Sequence, residues 1–256
     1  MTTPAPKIYF VAGGTRGIGL GLVAGIAARD PTAIIYAGGR NLSSAQLLID
    51  LSAKYPGRIE PVKYIAGDKE GNEELAKEIG KKHGHVDTVI ANAGIANSDA
   101  PVHETSIKSF EEHFSVNVLG PIVLFQTFRD LLKASPSPRF VAISSGAGSI
   151  EGLSRNPFNN SPYGTSKAAL NWVVRKIHYE NDWLIAYPQC PGAVDTDMMR
   201  EGIAKDTTGK FKEIMKIMNV RQPDEAATVL LDILDASTRE KDGGQFHNID
   251  LGRHPW

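Results

Sequence analysis

An α/β architecture is predicted, with a doubly wound parallel sheet of about seven strands flanked by helices, and three observations carry that prediction. Short apolar runs rich in β-branched and aromatic residues recur along the chain. Stretches with apolar residues at helical spacing separate them. The runs are apolar along their whole length rather than at alternate positions, as strands covered by helices on both faces must be.

The first strand is "KIYFVAGG", and a glycine-rich turn leads into the helix "GIGLGLVAGIAAR". "AIIYAGG" is the second strand, followed by the helix "LSSAQLLIDLSAKY" with Ser43 as its N-terminal signal. "IEPVKYIAGD" and "EGNEELAKEIGKKHG" form the third strand and helix. "VDTVIANAG" is the fourth strand; the long helical stretch after it, "SIKSFEEHFSVNVLGPIVLFQTFRDLLKA", stops at Pro136 and Pro138. "RFVAISS" precedes the helix "YGTSKAALNWVVRKIHYE", and "WLIAYPQCPG" is the sixth strand. "PDEAATVLLDILDAS", opening at Asp224, and a last strand in "GGQFHNI" complete the series. No linker, low-complexity tract or fixed-period repeat interrupts it, so a single domain over residues 1–256 is expected.

Charge and cysteine usage exclude several classes of partner. Lys plus Arg number 28 against 29 Asp plus Glu, a net charge of -1, which offers no field for nucleic acid or for an anionic membrane. No apolar run approaches the roughly 20 residues of a membrane span. Cys190 is the single cysteine, no Cys/His cluster has zinc-ligand spacing, and the first residues lack a charged-then-apolar signal. A metal-free, cytoplasmic protein is expected.

Ligands of such sheets sit beyond the carboxyl ends of the strands, so those ends are read next. The first ends in "AGGTRGIG", where Gly13, Gly17 and Gly19 lead into a helix. Bare backbone there lets N–H groups approach a pyrophosphate, whose charge the helix N-terminus favours; a merely tight turn is the other reading. The second strand ends in Gly39 and Arg40, with no carboxylate to take ribose hydroxyls, and Arg16 lies in the glycine turn. Two guanidiniums suit a 2′-phosphate, hence NADP(H) over NAD(H), although two ordinary solvated arginines would look the same. Asp68, ending the third strand, either accepts from the adenine amine or caps the next helix.

Tyr163 and Lys167 stand four residues apart and project from one helix face. A neighbouring cation favours a phenolate, lowering a pKa near 10 toward a range useful for proton transfer. Ser145 ends the fifth strand beside the same cleft; Ser144 is its neighbour on the opposite face.

Taken in order, Gly13-x-x-x-Gly17-x-Gly19, Asn92-Ala93-Gly94, Asn117 in "SVNV", Ser145, Tyr163-x-x-x-Lys167 and Pro191-Gly192 resemble the short-chain dehydrogenase/reductase family over nearly the whole chain. The resemblance implies a Rossmann-type fold, with Tyr163 as general acid/base, Ser145 orienting substrate, and Lys167 holding the nicotinamide ribose and lowering the Tyr163 pKa. It implies that Asn117 anchors a water in a proton relay and that Asn92 braces the sheet. Further cofactor contacts fall on Thr15, Ile18, Asn41, Ala93, Gly94, the Val194 backbone and the Thr196 hydroxyl. Arg16 and Arg40 match NADPH-preferring members. Ala12 and Ala91 depart from the usual threonine and asparagine, which touches supporting hydrogen bonds rather than chemistry. Relatives form dimers or tetramers through the helices carrying Asn117 and Tyr163, so a homo-oligomer is expected.

The segment 193–221 is long and interrupted and reads as a lid over cofactor and substrate. It holds Met198, Met199, Met215 and Met218 with Phe211 and Ile214. These either line an adaptable pocket, which Phe158 would face, or pack the lid onto the domain. The first alternative implies a lipophilic, aromatic carbonyl substrate, and the "HPW" ending with "SPYGTSKAALNWVVRKIHYEN" resembles the fungal polyketide ketoreductase-like branch. A nucleotide sensor on the same fold and an alcohol dehydrogenase running oxidatively are alternatives. The sensor has no need of Asn117, Ser145, Tyr163 and Lys167 together.

Overall fold

The computed structural model describes residues 6–97, 100–152, 154, 159–250 and 252–256. Its strands are β1 (Ile8–Ala12), β2 (Ile34–Gly39), β3 (Ile59–Lys63), β4 (Thr88–Ala91), β5 (Arg139–Ile143), β6 (Ile185–Cys190), β7 (Ala193–Val194), β8 (Val220–Arg221), β9 (His247–Asn248) and β10 (Gly252–Arg253). Eight of them form one sheet in the order β10-β9-β6-β5-β4-β1-β2-β3. All its pairs are parallel except β10 on β9. Strand order reverses between β1 and β4, and the crevice at such a reversal is where this architecture takes its ligands.

The helices are α1 (Gly17–Arg29), α2 (Gln46–Lys54), α3 (Lys69–His83), α4 (Ile107–Phe114), α5 (Gly120–Lys133), α6 (Ser161–Glu180), α7 (Asp197–Lys205), α8 (Lys210–Met215), α9 (Pro223–Ala236) and α10 (Arg239–Asp242). Apolar residues on both faces of the central strands give two cores. Phe10, Phe140 and Ala142 meet Phe128, Leu170 and Val174 on the α3–α5–α6 side. Val11, Val141 and Tyr187 meet Leu22, Val23 and Leu231 on the α1–α9 side. A Cβ at Gly25 would fall 2.6 Å from Leu231 Cδ1, so α1 and α9 approach closely because that position is bare.

Three features differ from the expected series. The last predicted strand shrinks to His247–Asn248, and the chain returns antiparallel as β10, adding an eighth strand. Residues 193–221 contain α7 and α8 between β7 and β8, which pair with each other, Ala193 opposite Val220. The long helical stretch after β4 is broken by a π turn over Ser115–Leu119. Pro121 accounts for the break: it has no N–H to give the Asn117 carbonyl four residues earlier, so α geometry cannot run through. No helix among the described residues is long and apolar enough to cross a membrane.

Candidate active site

Beyond β1, Gly13 and Gly17 have φ of +73° and +53°, conformations open to glycine. A Cβ at Gly19 would lie 2.0 Å from the Gly13 carbonyl oxygen and 2.5 Å from Asn92 Nδ2, so no side chain fits. Asn92, just past β4, donates through Nδ2 to the Ala12 and Gly13 carbonyls at 3.2 and 3.0 Å. One amide thereby fastens the glycine turn to the neighbouring strand across the reversal point. Thr15 packs on Gly39 so closely that a Cβ there would meet Thr15 Cγ2 at 2.3 Å, while Ile18 packs on the α1–α9 core. Ala93 and Gly94 continue along the crevice, with Ala93 Cα 3.0 Å from where a Gly13 Cβ would stand.

Candidates for the adenosine end are less gathered. Arg16 is exposed and ion-paired with Asp197 at 3.0 Å, and Arg200 bridges Asp197 and Asp195 behind it. Arg40 is exposed beyond β2, and Asn41 caps a 3₁₀ turn, its Oδ1 accepting from Ser43 N at 3.1 Å. Asp68 caps α3, accepting from Gly71 N at 3.1 Å.

At the other end, Ile143, which closes β5, and the two residues after it each engage α6, so the strand alternation expected to set Ser144 and Ser145 on opposite faces does not extend to them. The Ile143 carbonyl accepts from Lys167 Nζ at 2.8 Å, Ser144 Oγ donates to Asn171 Oδ1 at 2.5 Å, and the Ser145 hydroxyl lies near enough to the Tyr163 phenol to lower its pKa. Lys167 Nζ lies 5.7 Å from the Tyr163 ring centre and 3.7 Å from where a Gly94 Cβ would stand. Asn117 is fully buried in the π turn and its side chain is saturated: Oδ1 accepts from Ile95 N, and Nδ2 donates to Ile95 O and Ser166 Oγ, all at 2.9 Å. Cys190, at the end of β6, accepts from Gly146 N through Sγ at 3.1 Å. Past it, Gly192 has φ of +67°, Val194 lies in β7, and Thr196 caps α7 with its methyl 3.4 Å from a Gly17 Cβ position. Residues from Gly13 to Thr196 thus converge on the carboxyl ends of β1, β4, β5 and β6.

Burial dominates the electrostatics. It pushes the Tyr163 phenol up to about 12, opposed by the Ser145 hydrogen bond. It brings the Lys167 amine down to about 8. The expected lowering of the phenol is therefore not the net direction here: burial is the largest cause, and Ser145 is the group that opposes it. A phenol so shifted keeps its proton at neutral pH.

The family model for short chain dehydrogenases matches residues 7–207 of this chain. The chain belongs to the short-chain dehydrogenase family. This short-chain dehydrogenase is 35% identical over 248 residues to an uncharacterised oxidoreductase of Schizosaccharomyces pombe, covering 95% of this chain and 96% of that one. It is 31% identical to the norsolorinic acid ketoreductase of Aspergillus parasiticus, covering 99% and 92%. Among solved structures it resembles the NADPH-bound carbonyl reductase from chicken fatty liver, with a TM-score of 0.84 and 27% identity over 99% of this chain and 100% of that one.

The sequence reading of this short-chain dehydrogenase missed Asn171, Ser166, Asp197 and the acceptor role of Cys190. Asn171 lies eight residues past Tyr163 on the same helix face, a spacing that extends the Tyr-x-x-x-Lys pattern by one turn. Phe158 lies outside the described residues, so its place relative to the methionines is not part of the site as built. Met198, Met199 and Met215 are half-buried and Met218 is exposed, and neither α7 nor α8 has a fully buried residue.

Proposed function

We propose that this short-chain dehydrogenase reduces a lipophilic or aromatic ketone or aldehyde to an alcohol at the expense of NADPH. The observation that carries the reading is the convergence of Ser145, Tyr163 and Lys167 where β5 ends, across the crevice from the glycine turn. The turn fits a dinucleotide on its own geometry, since the bare positions Gly13, Gly17 and Gly19 present backbone at the N-terminus of α1. Arg16 and Arg40 would take the 2′-phosphate, Lys167 the nicotinamide ribose, and Val194 with Thr196 the carboxamide. NADPH, when bound, supplies the hydride.

The chain's own residues supply the proton and its path. Tyr163 donates its phenolic proton to the carbonyl oxygen as negative charge grows there, and Ser145 stabilises that oxygen by a hydrogen bond. Asn117 acts through its main chain: its side chain is committed to Ile95 and Ser166, and its carbonyl lacks the α-helical donor that Pro121 cannot provide. That carbonyl is the group to hold a water feeding Tyr163 through Lys167. Run oxidatively, the same groups take the proton from an alcohol.

The reading includes one catalytic domain over 1–256, with residues 193–221 as a substrate lid whose two short helices are held at the neck by β7 and β8. It includes a cytoplasmic location and a homodimer or homotetramer. An apolar groove of about 440 Å³ between α4 and α6, with Phe110, Phe114, Leu119 and Pro162 in its walls, supports the oligomer. The test is loss of reduced-nicotinamide absorbance with purified protein, NADPH or NADH, and a panel of aromatic, quinonoid and aliphatic carbonyls. NADPH-dependent turnover supports the reading; tight NADPH binding with no turnover on any member moves it to the sensor.

A further inference from the structure

We propose that Ser144 and Asn171 are positioning residues that set the register between β5 and α6, and so hold Ser145, Lys167 and Tyr163 in reacting geometry. The end of β5 and the inner face of α6 meet as a ladder of three rungs. Ile143 takes Lys167, Ser144 takes Asn171, and Ser145 takes Tyr163, three consecutive residues against three that stand one helical turn apart. The first and last rungs contain the groups that move a proton. The Ser144–Asn171 rung has none, stands one turn past Lys167 on α6, and is the most enclosed, with Ser144 and Asn171 each 2% exposed.

Its neighbours on α6 and β5 are Leu170, Val174 and Ala142, all apolar and all in one core. Apolar packing holds a helix against a strand without specifying how far along it sits, because that attraction has no direction. A hydrogen bond 2.5 Å long does specify it, since its distance and angle tolerate little change. The strand side is itself anchored, as Ser144 N donates to the Gln189 carbonyl of β6 at 2.8 Å. The arrangement carries a penalty. Asn171 Nδ2 is buried with no hydrogen-bond partner among the described residues, whereas an apolar pair at positions 144 and 171 would leave nothing unpaired. A buried polar atom left unpaired in a native fold calls for a reason, and the register of the two reactive rungs is that reason.

The proposal rests on Tyr163 and Lys167 being the reacting pair. Its test is the double variant Ser144→Ala/Asn171→Leu, in which both polar partners go together so that none is orphaned. The thermal midpoint is expected to stay within a few degrees of the parent and the NADPH dissociation constant to be unchanged. With the carbonyl panel, kcat is expected to fall about 10- to 100-fold with KM little changed, as displaced reacting groups require. A second readout needs no turnover: Lys167, labelled with ¹³C at Cε, is expected to titrate at a changed pH once its rung has slipped. A packing role alone would leave kcat within about twofold of the parent and the Lys167 titration in place, and that result overturns the proposal. Should the double variant not fold, Ser144→Ala alone carries the same readouts, because it keeps the backbone bond to Gln189. If the parent turns over no carbonyl, the reductase reading fails, while the Lys167 titration still decides the register.

Discussion

Tyr163 and Lys167 show how burial shapes single groups in opposite directions. A phenol at about 12 remains protonated through the physiological range, so Tyr163→Phe is expected to lose about 10²- to 10⁴-fold in kcat while binding NADPH as before. Fluorescence titration and steady-state rates separate the two effects. Lys167 is charged below about 8 in the free protein, and kcat/KM for NADPH should fall as pH rises through that value. The sign for stability follows from the same shift. Unfolded chain holds the lysine proton up to about 10.5 and folded chain only to about 8, so stability rises with pH across that window. Below it the buried charge is a burden, and Lys167→Met should raise the thermal midpoint at pH 7 by a few degrees while abolishing turnover. Arg40→Asp, at an exposed position, should lower the ratio of kcat/KM for NADPH to that for NADH by about tenfold or more. The candidate residues Ser145, Tyr163 and Lys167 could be picked out because their types and order are distinctive, and the fold brings them together. Asn171 was not, since a single polar residue in an apolar helical pattern looks the same whether or not a serine lies opposite.

At the scale of elements, the π turn is the informative departure. Its cause, Pro121, is plain in the sequence, yet a proline at the first turn of a helix is ordinary and the stretch reads equally well as two helices or one. What decides is that Asn117, four residues earlier, is pinned on both sides by Ile95 and Ser166 and cannot shift to relieve the break. Pro121→Ala returns the missing N–H and favours a continuous α-helix. The expected outcome is equal or greater thermal stability together with a several-fold lower kcat, as the Asn117 carbonyl regains an internal donor; calorimetry and initial rates check it. The glycine turn offers the opposite case. Gly19→Ala puts a Cβ 2.0 Å from the Gly13 oxygen, so the turn must open. NADPH binding should then weaken far more than any exposed α1 substitution would cause, as measured by equilibrium titration.

For the whole molecule, the apolar runs of β1, β4, β5 and β6 made the layered fold readable, because strands buried on both faces admit few polar residues. The short β9 and β10 were hard to read: two-residue strands have no periodicity, and their pairing is set by where the rest of the sheet ends. The same layered body links cofactor binding to overall stability. NADPH at 100 times its dissociation constant should stabilise by about 2.7 kcal/mol, a rise of about 5–10 °C in thermal midpoint, and NADH at the same concentration by less. Differential scanning fluorimetry reads both.

The pairing of β7 with β8 brings the two ends of segment 193–221 side by side, and the Arg221–Asp250 ion pair at 2.7 Å ties that neck to the loop after β9. The stretch between them therefore hangs from a fixed mount, and near its start the Arg16–Asp197 ion pair ties it to the glycine turn. In evolutionary terms, the stretch beyond that tie is the part of the chain whose change would disturb the sheet least, because its two ends are already paired with each other.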